Sequence, residues 1–158
     1  MIPVFLLDDL KKRLEEIFKD LLFDNVNKER VPLKIFKQHI PLKKADKEKM
    51  ALYPCIVIKL VEGRQETWDD PQVIPVHLVV GALDDGLDRK GDGEVMSIIQ
   101  KVQTDFLEKP YMERQFSLTK PPDWYIYDED VHPYYFGGLE LNFKQEINIT
   151  REDVEGLL

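Results

Sequence analysis

Cysteine is nearly absent. Cys55 is the only one, so no disulfide can close within the chain and no cysteine zinc cluster can be built. A reducing, cytoplasmic site of synthesis is the natural expectation. Histidine is scarce as well. His39, His77 and His132 are the full set, and no two fall at the i, i+3 or i+4 spacing that would aim both at one metal from a helix. Ser97 and Ser117 are the only serines, and neither lies in a Gly-x-Ser-x-Gly elbow. No apolar run approaches the ~20 residues of a membrane span. The apolar start, Met1 to Leu7, has no basic flank and meets Asp8-Asp9 at once. No small-residue cleavage site follows it, so a signal peptide is not expected. Positive charge is in deficit: 22 Lys+Arg stand against 30 Asp+Glu, a net charge of −8. This argues against a phosphate-binding surface over the whole domain, though not against a local basic patch, and against binding to anionic membranes.

What is present is a soluble, globular balance: 43% apolar and 33% charged residues in a chain of 158. That length is one domain, spanning 1–158, and it can bury roughly 70% of the surface its unfolded chain exposes. No repeat or linker divides it.

Leu7, Leu10, Leu14, Ile17, Phe18 and Leu21 recur at three and four residues, which predicts an amphipathic helix within residues 1–25. Lys11, Lys12, Arg13, Glu15 and Glu16 fall on its polar face, and Asp24-Asn25 and Asn27 read as its stop. Residues 28–50 form a Lys-rich connection. Leu33 to Ile40 is a candidate strand ended by Pro41, and Lys43, Lys44, Lys47 and Lys49 read as a solvated loop, with a nucleic-acid contact as the sharper alternative. Cys55 to Val61 is a β-branched strand, and Val73 to Leu83 alternates as another, with Pro75 suggesting an edge or a strand start. The polar stretch between them makes the pair a long-loop hairpin. Glu94 to Lys109 carries the stripe Val95, Ile98, Ile99, Val102 and Phe106, a helix stopped by Pro110. Short strands are expected at Phe116–Leu118 and Trp124–Tyr127. In the last strand Leu139, Leu141, Phe143, Ile147 and Ile149 share one face. Residues 151–158 read as an acidic tail. Helix, strands, helix, strands predicts an α+β fold: a mainly antiparallel sheet with two helices packed on one face.

No catalytic constellation announces itself. Cys55 lies in a β-branched run, where a buried, inert thiol is expected. His77 alternates opposite the apolar face of its strand. Gly91-Asp92-Gly93 opens a helix, but Met96 stands where a dinucleotide fingerprint needs glycine, and no Gly-Lys-Ser/Thr follows. Asp88, Asp92 and Gly93 match three positions of a calcium loop, while Lys90 and Ile99 occupy two positions where ligands are required. Asp84, Asp85, Asp88 and Asp92 therefore read as an acidic loop that sets surface potential. Thirty acidic residues make carboxylate pairs common, and nothing selects one pair for a two-carboxylate hydrolase.

The aromatic residues stand out. Trp124-Tyr125-Ile126-Tyr127 precedes Asp128-Glu129-Asp130 and then His132-Pro133-Tyr134-Tyr135-Phe136-Gly137-Gly138. They suit either a core or a protein interface. Strand neighbours point to opposite faces, so Tyr134, Tyr135 and Phe136 cannot share one side. Trp124 and Pro133 to Gly138 are the candidate interface residues.

At this point the residues resemble a known family. Tyr53-Pro54-Cys55-Ile56-Val57 opens the first long strand, Val76 to Gly81 runs into the Asp84-Asp85 loop and a helix, and Pro133-Tyr134-Tyr135-Phe136-Gly137-Gly138 precedes an alternating strand. This arrangement, from Tyr53 to about Ile149, is similar to the tail terminator (tail completion) proteins of tailed bacteriophages and prophages. His132 and Gly138 stand where the family often has a tyrosine and an acidic residue. The resemblance implies a virion structural subunit, assembled in the host bacterial cytoplasm, that forms a ring, usually a hexamer. The ring would cap the tail tube, end its polymerisation and offer a docking face to head-completion or neck proteins. It would pass DNA without sequence-specific binding and have no catalysis and no cofactor; the histidine spacings and the incomplete calcium loop separately predict no bound metal. In that ring Asp84, Asp85, Asp88 and Asp92 would be candidates for a lumen-facing loop. Another head–tail connector or neck subunit is the alternative, and a small carboxylate-dependent hydrolase a more distant one.

Overall fold

The computed structural model describes residues 2–145. The expected continuation of the last strand through Ile147 and Ile149 and the acidic tail 151–158 lie outside the described residues. Helix α1 spans Val4–Phe18, the short α2 Asp46–Met50, and α3 Gly91–Glu108. The strands are β1 (Phe23–Asp24), β2 (Arg30–Val31), β3 (Lys34–Lys37), β4 (Cys55–Leu60), β5 (Val73–Leu83), β6 (Phe116–Leu118), β7 (Asp123–Ile126) and β8 (Tyr134–Gln145). The main sheet runs β3-β4-β5-β8, with β6 and β7 sharing the far side of β8. All its pairings are antiparallel except β3 with β4. The fold is α+β, with α1 and α3 on one face of the sheet.

The register assigns every side chain to a face. Ile56, Val80 and Gly137 lie in one row, and Ile58, Leu78 and Leu139 in the next. These rows, with Ile35, Ile74, Val76, Ala82, Leu141 and Phe143, meet Leu6, Leu10 and Leu14 of α1 and Val95, Ile98, Val102 and Phe106 of α3 in one buried core. Shifting any central strand by one residue would turn this apolar set toward the opposite face, so the core fixes the register.

Several expectations change. The N-terminal helix ends at Phe18, and residues 23–31 form a small hairpin of their own. Asn25 drives that turn: its Oδ1 accepts from the amides of Asn27 and Glu29, both at 2.9 Å, the local competition with helix that asparagine offers. Within the Lys-rich connection the strand expected between Leu33 and Ile40 forms as β3, while β2 and α2 lie there in addition. Pro75 is in a central strand. Its nitrogen faces the β4 side, like that of Val73 two residues earlier, which exchanges backbone bonds with Arg64 at 2.7 and 2.8 Å. The last β4 pair is Leu60 with Val76, so the missing N–H falls just past the end of the ladder and costs no strand hydrogen bond.

Arg13 is on no solvent face. Its guanidinium lies 3.8 Å from the centre of the Phe106 ring. It donates to the Asp105 carboxylate at 2.7 Å and to the carbonyls of Asp105, Lys109 and Tyr111 at 3.2, 2.5 and 3.0 Å. One cation from α1 thus satisfies carbonyls at the C-terminal end of α3, where the helix dipole favours positive charge.

Candidate functional site

The segment Pro133–Gly138 divides between the two faces of β8, as a period of two requires. Tyr135 points toward the helices and is only 6% exposed. Its ring occupies the space beside Gly91 at the start of α3, where any Cβ would overlap it. Its hydroxyl lies 2.9 Å from Nδ1 of His132 and 3.3 Å from Nε of Arg89. Arg89 in turn pairs with Asp130. Tyr134 and Phe136 occupy the other face, where Tyr53 packs on both at 5.0 and 6.1 Å between ring centres. Burial beside Cys55 and Tyr134 pushes the Tyr53 phenol up to about 12.

The two glycines serve close approach within the subunit. A Cβ on Gly137 would come 2.8 Å from Val95 and 3.0 Å from Ile99 of α3. One on Gly138 would come 2.7 Å from the Tyr125 hydroxyl. Gly138 therefore accommodates Tyr125, its cross-strand partner on β7, an aromatic ring covering a strand glycine.

What remains on the outside is the β7 edge. Trp124 is 58% exposed, and Tyr125, Tyr127 and Val131 are exposed with it. Among the described residues no strand pairs with the outer side of β7. Asp123, Asp128, Glu129 and Asp130 flank these rings, with no Lys or Arg between 123 and 130. Of the candidate interface set, Trp124 is on this edge, Pro133, Tyr134 and Phe136 are half-buried, and Tyr135, Gly137 and Gly138 are internal.

The acidic loop is less uniform than its composition. Asp84 accepts from the amides of Gly86 at 2.9 Å and Lys90 at 2.8 Å, and those backbone donors, with the first the stronger, hold its carboxyl below the usual range. Helix α3 begins at Gly91, three residues ahead of the expected Glu94, so Asp92 belongs to its first turn. Asp85 and Asp88 are exposed, and Asp88 makes an ion pair with Lys90 at 3.7 Å. The loop and the β1–β2 hairpin enclose a cleft of about 620 Å³ in which Asp24, Lys28, Arg30, Asp84 and Glu94 meet. Burial, reinforced by Asp24 and Asp84, pushes the Glu94 carboxyl up to about 7, against the opposing pull of Arg30. In the sequence Glu94 reads only as a first-turn acid, and no local signal marks it.

Cys55 is buried, and burial pushes its thiol up to about 12, too high for a nucleophile at neutral pH. Among the described residues no three His, Cys, Asp or Glu side chains are grouped to hold a metal ion. None of the described helices is long and apolar enough to cross a membrane. The sequence matches no protein-family model and no curated protein.

Proposed function

We propose that this protein is a virion structural subunit that terminates a bacteriophage tail: copies assemble as a ring, six-membered by resemblance, on the end of the tail tube. There they stop its growth and present a docking face to head-completion or neck proteins. The observation that carries this reading is the exposed aromatic edge, Trp124 to Tyr127, on a strand whose outer side has no partner among the described residues. Exposed Trp and Tyr beside unpaired strand backbone are features of a surface that another chain covers. The two-layer α+β subunit and the motif residues Pro133 to Gly138 agree with the resemblance. The deciding experiment is tail assembly from purified tube protein with and without this chain. Tubes of regular length in its presence and overlong tubes in its absence support the proposal. Identical length distributions end it. A head–tail connector would bind neck or portal proteins and leave tube length unchanged.

A second reading, a carboxylate-dependent hydrolase, draws on one observation: Glu94 has its carboxyl pushed up to about 7 in a cleft beside Asp24 and Asp84. Perturbed acids in clefts are candidate general acids. Glycosidase or esterase turnover lost on Glu94→Gln would favour it over the structural role.

A further inference from the structure

Charge is segregated across the main sheet. Its β3 edge and the adjoining chain, residues 28–50, hold eight Lys or Arg against three Asp or Glu. Lys43, Lys44 and Lys47 are exposed and have no ion-pair partner among the described residues. The opposite edge, β7 and its following turn, holds Asp123, Asp128, Glu129 and Asp130 without a basic residue between them; Asp123 pairs with Lys120 at 2.9 Å and Asp130 with Arg89, while Asp128 and Glu129 have no ion-pair partner among the described residues. The gradient continues over the face that the helices leave uncovered. Lys59, His77, Glu140 and Asp123 stand in one cross-strand row from β4 to β7. Each edge also carries apolar surface. Beside the basic edge, His39, Ile40, Pro41, Leu42, Val57 and Val79 line a largely apolar groove of about 630 Å³, with Leu42 99% exposed. On the acidic edge Trp124 stands out as an aromatic anchor.

We propose that the basic β3 edge of one copy docks against the acidic, aromatic β7 edge of the next, a head-to-tail contact in which Trp124 is the anchor. The sign of the charges selects this geometry. A two-fold contact brings a surface against itself, so a symmetric pairing through either edge would oppose Lys to Lys or Asp to Asp. Among edge-to-edge contacts only a heterologous one joins unlike edges, and such contacts either close into rings or continue as filaments. Both edges belong to short strands with one unpaired side among the described residues, so backbone pairing can add to the charge attraction. The inference shares with the proposed function only the premise that copies of this chain associate.

The test uses two charge-reversed full-length variants. Lys43→Glu/Lys44→Glu/Lys47→Glu makes both edges acidic, and Asp123→Lys/Asp128→Lys/Glu129→Lys makes both basic. Sedimentation velocity in low salt should show wild type heavier than a monomer, each variant alone as a monomer, and the equimolar mixture back at the wild-type mass. Raising the salt should dissociate the wild-type assembly, because exposed charge attraction is screened. Lys12→Glu/Lys101→Glu, on the helical layer, adds negative charge away from both edges and should associate like wild type. Trp124→Ala should weaken association without changing the circular dichroism spectrum. A wild-type chain that is monomeric at the highest concentration reached overturns the proposal. So does an assembly that survives both reversals, or a mixture that stays monomeric. Correct edge pairing with unaltered tail lengths would retire the tail role and leave this contact standing. Regular tails built from chains that associate through another face would do the reverse.

Discussion

Glu94→Gln should stabilise the protein at alkaline pH and leave it unchanged in acid. Glu94 is half-buried in the cleft between the β1–β2 hairpin and the loop that leads into α3. Burial disfavours its charged form first, and the carboxylates of Asp24 and Asp84 add repulsion, so its pKa rises from 4.5 to about 7. The folded chain therefore holds this proton more tightly than the unfolded chain does. The resulting stability is fully present below about 4.5 and is lost as the pH rises through about 7, after which both states are ionised. At 1.36 kcal/mol per pH unit, a displacement of this size corresponds to about 3 kcal/mol. Solvent reaches part of the carboxylate and screens it, which reduces the expected figure to about 1–2 kcal/mol. Glutamine keeps the shape of the protonated acid and cannot ionise. Urea denaturation at pH 8 should show the variant more stable by that amount, with Tm higher by about 2–4 °C per kcal/mol. At pH 4.5 the two proteins should unfold together. Equal stability across the whole range, or a variant weaker at pH 8, would refute the reasoning. The latter result would mean that the Glu94 carboxylate is held by Arg30 in the folded chain.

Two further substitutions test the packing around the candidate site. Arg13→Met should cost about 2–3 kcal/mol in urea denaturation, because the Asp105 carboxylate and the carbonyls at the end of α3 lose a charged donor. Arg13→Lys should recover less than half, since an ammonium cannot reproduce the guanidinium fork; a loss below about 0.5 kcal/mol in Arg13→Met would make the cluster incidental. Asp84→Ala should cost about 1 kcal/mol, like the loss of a helix cap, while Asp85→Ala should stay within about 0.5 kcal/mol. The difference between them should close as the pH falls through the depressed Asp84 pKa, below 3.8, and a cost of the same size for both variants at pH 7 would contradict the hydrogen bonds assigned to Asp84.

The strand Val73–Leu83 is legible in the sequence to the residue, because its alternation is imposed by a sheet with one face fully buried under helices. Its place in the sheet is not legible. Pro75 reads equally as an edge or as a strand start, and only the register shows that the missing N–H falls beyond the end of β4. Arg13 is misplaced for a related reason. Helical periodicity sorts residues by hydropathy, and an arginine that stacks on Phe106 while capping another helix looks the same as one in water. The hairpin of residues 23–31 is hidden because Asn25 and Asn27 mark a stop equally well whether a helix ends in a loop or in a turn.

The aromatic segment shows where local reading ends and topology begins. Alternation alone requires that Tyr135 oppose Tyr134 and Phe136, and the structure has that division. It gives no hint that Gly137 and Gly138 make room for α3 and for Tyr125, since both partners come from other parts of the chain. Charge follows the same rule at a larger scale. The Lys-rich stretch 28–50 and the acidic run Asp128-Glu129-Asp130 are plain in the sequence, and each by itself is an ordinary solvated surface. They acquire a direction because the strand order β3-β4-β5-β8, with β7 outside β8, carries the two to opposite edges of one sheet. Had β3 paired beside β7, the same residues would neutralise each other within one subunit. The long-range pairing of β5 with β8 keeps them apart, and so Lys43, Lys44 and Lys47 at one edge and Asp128 and Glu129 at the other have no ion-pair partner among the described residues.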